Sequence, residues 1–350
     1  MTTKSNKMGV PLCAVPEMAP RKFESPVSPV RERLIRTLEK KWVNGTVLHY
    51  HFLQNRPDQQ SAVRAAFAHW KEVGIGLEFQ EVEQASEAEL RITFNQGEKD
   101  GSWSYIGRDA IDFVQDPTEA TINYGWDLTT PYGRDTALHE IGHAIGLNHE
   151  HQNPLAGIEW NEDAVLREFS GPPNNWDQQQ IRHNILRKLR LAEHDGSPWD
   201  RNSIMHYQFD AGLISKPEEF RDSPLIPAPG LSTTDVETVR RFYPLIDEEL
   251  PELRPFESRQ ITIAPGQQLN YAIRPKESRR YQMQTFGEMD TVMVLFENVD
   301  GSPRYLSGDD DSGSSLNASI THRLLASREY ILRLRLYGSR TSGGGALMLF

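Results

Sequence analysis

The run HEIGHAIGLNH at residues 139–149 constrains this chain more than any other feature of its sequence. Residues four apart lie on one face of a helix, so His139 and His143 can direct their rings at a single ion. His149 can reach the same ion only if the chain turns sharply after the helix, and Gly146 accommodates the left-handed conformation of such a turn. Three neutral imidazoles leave a fourth position for water, which is typical of a catalytic zinc rather than a structural one.

Glu140 follows the first of these histidines, so its carboxylate lies beside the ion without being one of the ligands. A carboxylate in that position can take a proton from a water that the zinc polarises. The alternative is a histidine-bearing amphipathic helix that matches by chance, but a match at five spaced positions is rare in a chain with 11 histidines. The run therefore predicts one catalytic Zn2+ ion, with Glu140 as general base.

A second motif, SIMHY at residues 203–207, supports the same interpretation. A methionine-bearing turn downstream of the histidine run is the signature of the metzincins, and Met205 would form an apolar floor below the three rings. Together with this turn, the segments HEIGHAIGLNHEH, WDRN, GSWSYIGR and LSTTD resemble their counterparts in the astacin family of zinc endopeptidases. The resemblance covers about residues 40–245.

The resemblance implies an α+β catalytic domain, in which a twisted mixed sheet and the active-site helix lie above an irregular lower subdomain. It implies that Tyr207 is a fifth zinc ligand or a hydrogen-bond donor to the tetrahedral intermediate, whereas the plain alternative is a core tyrosine after a turn. Glu150 would receive a freed amino terminus, or take part in a helix-end or structural ion pair. Trp103, Ser104 and Tyr105 would belong to the substrate-binding edge strand, which aligns an extended peptide through backbone hydrogen bonds.

Cys13 is the single cysteine of the chain, which therefore cannot form an intramolecular disulfide. It lies in PLCAVPE at residues 11–17, which is similar to the cysteine switch of matrix metalloproteinase propeptides, where a thiolate occupies the open zinc position. Thiolate is a good zinc ligand, so Cys13 is a candidate fourth ligand in a latent zymogen form. Leu12 replaces the arginine that locks that switch, and the alternative is an ordinary free cysteine on a mobile leader.

Hydrophobic periodicity predicts the elements of the first two thirds of the chain. Strands are expected at 47–53, 77–82, 90–94 and 120–124, and helices at 58–73, 132–147, 162–169, 175–192 and 233–243. His49 and His51 share one face of the first strand, where packing or surface roles are favoured over a second metal site. The acidic, proline-flanked segment 244–255 is typical of a linker.

Beyond the linker the pattern changes to short alternating runs, which predict an all-β sandwich domain. Seven such runs are expected, at 260–263, 269–273, 281–285, 291–296, 319–324, 330–336 and 346–350. The stretches DTVMVLFENVDGSPRYLSGDDDSG and REYILRLRLYG resemble the bacterial pre-peptidase C-terminal domain. Asp309, Asp310 and Asp311 could bind Ca2+, but an acidic solvated turn is the favoured interpretation.

These patterns divide the chain into three parts. We expect a leader or pro-segment at 1–38, an astacin-like zinc peptidase domain at 39–246, and a β-sandwich domain at 256–350. The change of pattern at the linker predicts that the sandwich is an independent unit, and that the peptidase domain folds without it.

Charge and hydropathy limit the partners. A net charge of −11 argues against nucleic acid, and no apolar run of 18 residues predicts a membrane span. The amino terminus has no apolar segment of a signal peptide, so a cytoplasmic location or export by a non-classical route is expected. We expect a monomeric zinc-dependent endopeptidase that acts on protein or peptide substrates. The alternative is a catalytically weak binding or adhesion protein that acts mainly through the sandwich.

Overall fold

The computed structural model describes residues 11–18, 40–42, 44–97, 101–189, 198–245, 250–265, 267–299, 302–310, 312–337 and 342–350. Of the predicted leader, these include only the segment around Cys13, and residues 246–249 of the predicted linker lie outside them. The described residues form an α+β unit up to residue 245 and an all-β unit from residue 250, each with its own hydrophobic core. This confirms the fold class predicted from the sequence. Within the described part of the chain, no helix is both long and apolar enough to cross a membrane.

A five-stranded mixed sheet forms the upper half of the first unit. Its strands, in spatial order, are β2 (Glu78–Glu81), β1 (Val47–Phe52), β3 (Leu90–Thr93), β5 (Ile122–Asn123) and β4 (Trp103–Ser104). The first four are parallel, whereas β4 runs antiparallel to β5 at the edge. An edge strand leaves one row of backbone groups unpaired within its sheet, so β4 can contact a further chain.

Helices α1 (Pro57–Glu72) and α3 (Pro131–Ala144) pack with the sheet in one core, and the short α2 (Asp109–Asp112), which the sequence did not predict, lies between them in the chain. The indole N–H of Trp70 on α1 donates to the carbonyl of Leu138 on α3 at 3.0 Å. The Thr130 side chain caps the first turn of α3, and proline at its first position suits a helix start. The active-site helix is therefore fixed against the core on one side.

The lower half contains short elements around a third core. They are β6 (Glu159–Trp160), α4 (Glu162–Phe169), α5 (Gln178–Ile181) and β7 (Ile214–Lys216). The later helix α6 (Thr233–Phe242) packs instead in the core of the upper half. The predicted helix at 175–192 is wrong in extent, because α5 is followed by a single π-helical turn, Arg182–Leu186, and then by extended backbone at Arg187. Leu189 N–H bonds the carbonyl of Gln152 at 2.9 Å, so this stretch follows the loop after His149 instead of continuing a helix.

Two four-stranded antiparallel sheets form the second unit. One has the order β13 (Ser319–Leu324), β10 (Arg279–Gly287), β15 (Gly343–Leu349) and β8 (Ser258–Ile263), and the other has the order β12 (Ser302–Asp309), β11 (Thr291–Val299), β14 (Glu329–Leu336) and β9 (Gln268–Ile273). The predicted sandwich is therefore present with one more strand than predicted. The additional strand β12 contains Pro303 and Gly308, which favour a turn when read from the sequence alone.

The sheet that contains β11 and β14 is buried on both faces, whereas a sandwich sheet usually leaves one face to water. One face belongs to the sandwich core, which includes Met293 and Leu332. On the opposite face Phe296 and Arg333 are also buried, and Arg333 donates to carbonyl groups of residues 41 and 42 in the first unit. The two units therefore meet at this face.

Candidate metal centre and active site

Four buried side chains, those of Cys13, His139, His143 and His149, bring one sulfur or nitrogen atom each to a common point. All four atoms lie within 4.8 Å of one another, and Nε2 of His143 is 3.0 Å from Nε2 of His149. Two nitrogen ligands of one tetrahedral zinc ion are about 3.3 Å apart, so this spacing suits a shared ion. The structure thus brings together the three histidines that the sequence run predicts as ligands.

Backbone carbonyls orient the two histidines on α3. Nδ1 of His139 donates to Ile204 O at 2.7 Å, and Nδ1 of His143 donates to Leu147 O at 2.8 Å. A carbonyl oxygen only accepts, so the proton of each neutral ring is on Nδ1 and Nε2 presents a lone pair. Nε2 of His139 is buried without a hydrogen-bond partner among the described residues. An unpartnered buried nitrogen beside two further imidazoles fits a zinc ion.

Gly146 makes the turn that leads to the third histidine. The end of α3 is a Schellman motif, in which Gly146 N–H bonds His143 O at 2.8 Å and Leu147 N–H bonds Gly142 O at 3.0 Å. Gly146 has a φ of 99°, a conformation that costs little only for glycine. The chain therefore leaves the helix direction at this residue, and His149 returns to the face that carries the other two rings.

Met205 lies directly against α3 and is 2 % exposed. Its Sδ is 2.4 Å from the position that a Cβ on Gly142 would take, so the glycine inside the histidine run leaves room for the methionine. Asp235 on α6 fixes the turn around Met205, because its carboxylate accepts the Ile204 N–H at 2.8 Å. Since Ile204 O accepts from His139, this turn orients a ligand ring as well as closing the site from below.

Burial keeps the three histidines in the form that binds metal. Desolvation lowers the pKa of His139 to about 4 and holds the pKa values of His143 and His149 well below their usual value. The rings are therefore neutral at pH 7, and neutral imidazole is the ligating form. Burial also raises the pKa of Glu140 to about 8, which the hydrogen bond from Cys13 opposes. A dication in the cluster would favour the ionised carboxylate.

The Cys13 thiol lies between the glutamate and the third histidine. Its Sγ is 3.4 Å from Glu140 Oε2 and 3.7 Å from His149 Nε2. Burial and the neighbouring carboxylate raise the pKa of Cys13 well above its ordinary value, whereas a bound dication would favour the thiolate. Oε1 of Glu140 is buried without a hydrogen-bond partner in the described part of the chain. The thiol therefore occupies the space beside the predicted base.

Long-range hydrogen bonds hold the backbone on both sides of Cys13. They join Tyr132 Oη to Pro11 O (2.6 Å), Leu12 N to Asn174 Oδ1 (2.9 Å) and Val15 N to Asn184 Oδ1 (3.0 Å). Sequence reasoning missed Tyr132, Asn174 and Asn184, because they come from the start of α3, a loop and the π-helical turn, and no spacing links them. The π-helical turn that contains Asn184 is the one local irregularity that could have marked it, since such turns often occur at functional sites.

Ser102, the residue before the edge strand β4, forms one described backbone hydrogen bond with the leader, in which Ala14 N–H donates to Ser102 O at 3.0 Å. This contact lies one residue before the predicted substrate-binding segment. The Ser104 side chain is fully buried and its Oγ donates to Tyr105 O, while the rings of Trp103 and Tyr105 meet edge to face. Among the described contacts, none of these three side chains reaches the leader.

Tyr207 lies against the histidine cluster, with its ring centroid 4.3 Å from that of His149. Its hydroxyl donates to Cys13 O at 2.5 Å. Glu150 takes a structural position, because one carboxylate oxygen accepts both the Asp200 N–H and the Asn153 side-chain amide at 2.9 Å. It thereby joins the loop of the third histidine to the segment before the methionine turn.

The acidic triplet of the sandwich does not support a calcium site. The Asp309 carboxylate accepts the backbone N–H groups of two nearby serines at 3.0 and 2.8 Å, which closes a turn, and Asp311 lies outside the described residues. Over the ranges that the structure describes, the cluster at α3 is the only group of three or more potential metal ligands. His49 instead contacts Glu89, and His51 contacts a backbone carbonyl.

Three features of the first unit define a metzincin fold. They are the mixed sheet, the helix α3 with the glycine turn that leads to the third histidine, and the methionine turn below them. The chain belongs to the astacin family: the family model described as Astacin, a family of peptidases, matches residues 34–243. The family predicted from the sequence motifs is thereby confirmed.

Three relatives illustrate the similarity. The solved structure of myroilysin is 31% identical, with a TM-score of 0.53, over 59% of this chain and 96% of that chain. Zinc metalloproteinase nas-36 of Haemonchus contortus is 27% identical over 59% of this chain and 31% of its own length. Protein SpAN of Strongylocentrotus purpuratus is 26% identical over 58% of this chain and 31% of its own length. The chain thus spans about a third of the length of these two curated relatives.

Proposed function

We propose that this chain is a zinc-dependent endopeptidase, and that the described arrangement is its latent form. The observation that carries the proposal is the convergence of three neutral histidine rings with the Glu140 carboxylate in one buried cluster. A zinc ion bound by His139, His143 and His149 would polarise the scissile carbonyl and lower the pKa of water toward about 7. Membership of a peptidase family supports this function.

Glu140 would act as general base and then as general acid. Its carboxylate borders the cluster, from where it can accept a proton from the attacking water and return it to the leaving amine. Burial raises the pKa of Glu140, which favours proton uptake, whereas a bound zinc ion would favour the ionised carboxylate that a base must be before it takes the proton from water. The pKa of Tyr207 is raised well above its usual value, mainly by burial, so its hydroxyl keeps its proton and can donate to the developing oxyanion.

The leader would hold the enzyme latent through both of these groups. The Cys13 thiol lies 3.4 Å from Glu140, and the Tyr207 hydroxyl is engaged by the Cys13 carbonyl at 2.5 Å. Thiolate is a soft donor that zinc binds well, which supports Cys13 as the fourth ligand of the latent form. A peptide substrate needs the same space, so we infer that activation requires removal or displacement of the leader.

The contacts to the leader also indicate a substrate class. Apart from the contacts of the Cys13 thiol, the described hydrogen bonds to residues 11–15 go to backbone N–H and C=O groups, which every polypeptide carries. A cleft that recognises backbone groups suits protein or peptide substrates of varied sequence. No described contact favours the alternative of a binding or adhesion protein. The monomeric state, the cellular location and the resemblance of the sandwich to the pre-peptidase C-terminal domain stay predictions.

Three full-length proteins test the proposal: wild type, Cys13→Ala, and Cys13→Ala combined with Glu140→Gln. Bound metal is measured by atomic absorption, and cleavage of casein and of a short peptide is followed with and without a zinc chelator. We expect about one zinc per chain in Cys13→Ala and chelator-sensitive cleavage at least about tenfold faster than wild type. Cleavage should be about 10²- to 10⁴-fold slower than in Cys13→Ala when Glu140 is also replaced.

The outcomes separate the two parts of the proposal. Metal-free Cys13→Ala protein, or cleavage that persists in chelator, would contradict a zinc peptidase. Equal rates for wild type and Cys13→Ala, in proteins that both contain zinc, would contradict the latent role of Cys13 alone.

A further inference from the structure

The last turn of the active-site helix is held from outside the helix. The last carbonyls of a helix lie beyond its regular hydrogen-bond ladder, and here the Schellman turn supplies partners for those of Gly142 and His143. Each of three consecutive carbonyls accepts a hydrogen bond from a distant residue: His143 O from Gly107 N (2.9 Å), Ala144 O from Trp42 Nε1 (2.7 Å) and Ile145 O from Tyr243 Oη (2.7 Å). The position of the Gly146 turn, and with it the path to His149, therefore depends on these external donors.

Residues 40–42, which we call the strap, run directly beside this helix end. The Lys40 carbonyl accepts from Arg108 N–H at 2.7 Å, and the Trp42 N–H donates to the Tyr243 hydroxyl at 3.2 Å. The Cγ of Lys41 lies only 3.3 Å from the position that a Cβ on Gly146 would take. The strap therefore contacts both the helix end and the glycine turn.

Arg333 of the sandwich holds the strap from the opposite side. Its side chain is 0 % exposed, and its two terminal nitrogens donate to Lys41 O at 2.7 Å and to Trp42 O at 2.5 Å. A planar guanidinium suits two adjacent carbonyls, which a lysine ammonium cannot bond with the same geometry. Burial lowers the pKa of Arg333 to about 9, so the group is still cationic at pH 7.

The rest of this sheet face also belongs to the contact. The ring of Phe296 on β11 lies 5.1 Å from the Arg333 guanidinium and 5.5 Å from that of Arg108 in the first unit. Gln268 on β9 donates to the carbonyl of Phe242, the last residue of α6, at 3.4 Å. The sandwich therefore contacts the first unit through both apolar and polar buried groups. An independent unit, as expected from the sequence, would not need such a contact.

We propose that the sandwich is a fixed part of the catalytic unit and that Arg333 is a positioning residue for the third zinc ligand. Arg333 orders the carbonyls of the strap, the Trp42 indole then caps the end of α3, and the Gly146 turn presents His149 to the cluster. The inference rests on the proposed zinc site for its consequence, but its physical content is the order of residues 143–149. Groups that orient a ligand from behind typically contribute about 10- to 100-fold in metal affinity or activity.

The test uses the full-length chain with Arg333→Met and Arg333→Lys, and Arg323→Met as the matched control. Arg323 is an exposed arginine on β13, in the other sheet of the sandwich. Zinc affinity is measured by chelator competition, and amide hydrogen exchange of peptides covering residues 143–149 is followed by mass spectrometry. In the Cys13→Ala background, kcat and KM are measured separately.

Arg333→Met should weaken zinc binding about 10- to 100-fold. It should accelerate exchange at Gly146 and Leu147, and lower kcat more than KM changes. Arg333→Lys keeps the charge and most of the packing, so it should fold and show a smaller loss in the same direction, while Arg323→Met should match wild type.

Two results would overturn the proposal. One is an Arg333→Lys protein whose zinc affinity and exchange at residues 143–149 equal those of wild type. The other is a loss as large in Arg323→Met as in Arg333→Met. If wild type binds no zinc, the proposed function fails, and the exchange measurement still decides the inference about the strap.

Discussion

Gly142→Ala should destabilise the peptidase unit, although alanine is the better helix former. In α3 the replacement would by itself stabilise the helix by about 1 kcal/mol. The new Cβ would, however, lie 2.4 Å from Met205 Sδ and 3.5 Å from the Trp70 ring, both in a buried core. Overpacking of a filled core costs about 1–3 kcal/mol, and a contact this far inside van der Waals distance places the cost in the upper part of that range, at about 2–3 kcal/mol. After the gain of about 1 kcal/mol in helix propensity, we expect a net loss of about 1–2 kcal/mol.

Thermal unfolding in excess chelator isolates this effect from zinc binding. A net loss of that size should lower Tm by about 2–8 °C, since a unit of this length shifts about 2–4 °C per kcal/mol. Met205→Ala supplies the matched background, because it removes the sulfur that the new methyl group would meet. In that background Gly142→Ala should be neutral or stabilising by up to about 1 kcal/mol. An equal loss of stability in both backgrounds would refute the contact between helix and turn as the reason for glycine at this position.

Three further predictions concern the site. Glu140→Gln in the Cys13→Ala chain should keep its zinc but lower kcat by about 10²- to 10⁴-fold, which is the usual contribution of a general base. Turnover at the parent rate in a peptide assay would exclude this role. Tyr207→Phe in the same background should lower kcat by about 10- to 1000-fold with a smaller effect on KM, because the hydrogen bond of Tyr207 would form mainly in the transition state. An effect confined to KM would point to ground-state binding. A chain that ends at residue 249 lacks Arg333, so in chelator competition it should bind zinc about 10- to 100-fold more weakly than the full chain. Equal zinc affinity would show that the site does not need the sandwich.

The features that could be predicted from the sequence are those encoded by local spacing. The positions of His139, His143 and Gly146 follow from helix geometry and from the conformational freedom of glycine within one short run. Met205 could be predicted because its turn is also a contiguous motif. Residues that act on these groups from a distance could not be predicted, since no spacing relates Asn184 on the π-helical turn to the leader backbone it contacts.

The burial of the sandwich face that contacts the first unit has a signal in the sequence. The run VMVLF at residues 292–296 is apolar without alternation, and a strand with one face in water alternates. Such a run indicates a strand that is buried on both sides, as β11 is where it faces the first unit. Arg333 on the neighbouring strand β14 indicates an exposed face when read from the sequence, because arginine is usually a surface residue, although this side chain is fully buried.

The leader and the cleft that it fills are parts of one covalent chain. Cys13 is therefore presented to the histidine cluster at an effective concentration set by the intervening residues 19–39, and the blocked fraction does not change on dilution. A cut within 19–39 would turn the leader into a separate ligand that leaves according to its own dissociation constant. In the intact chain the segment would therefore block the site at any protein concentration. In the cut chain it would act as a product inhibitor, which dilution removes.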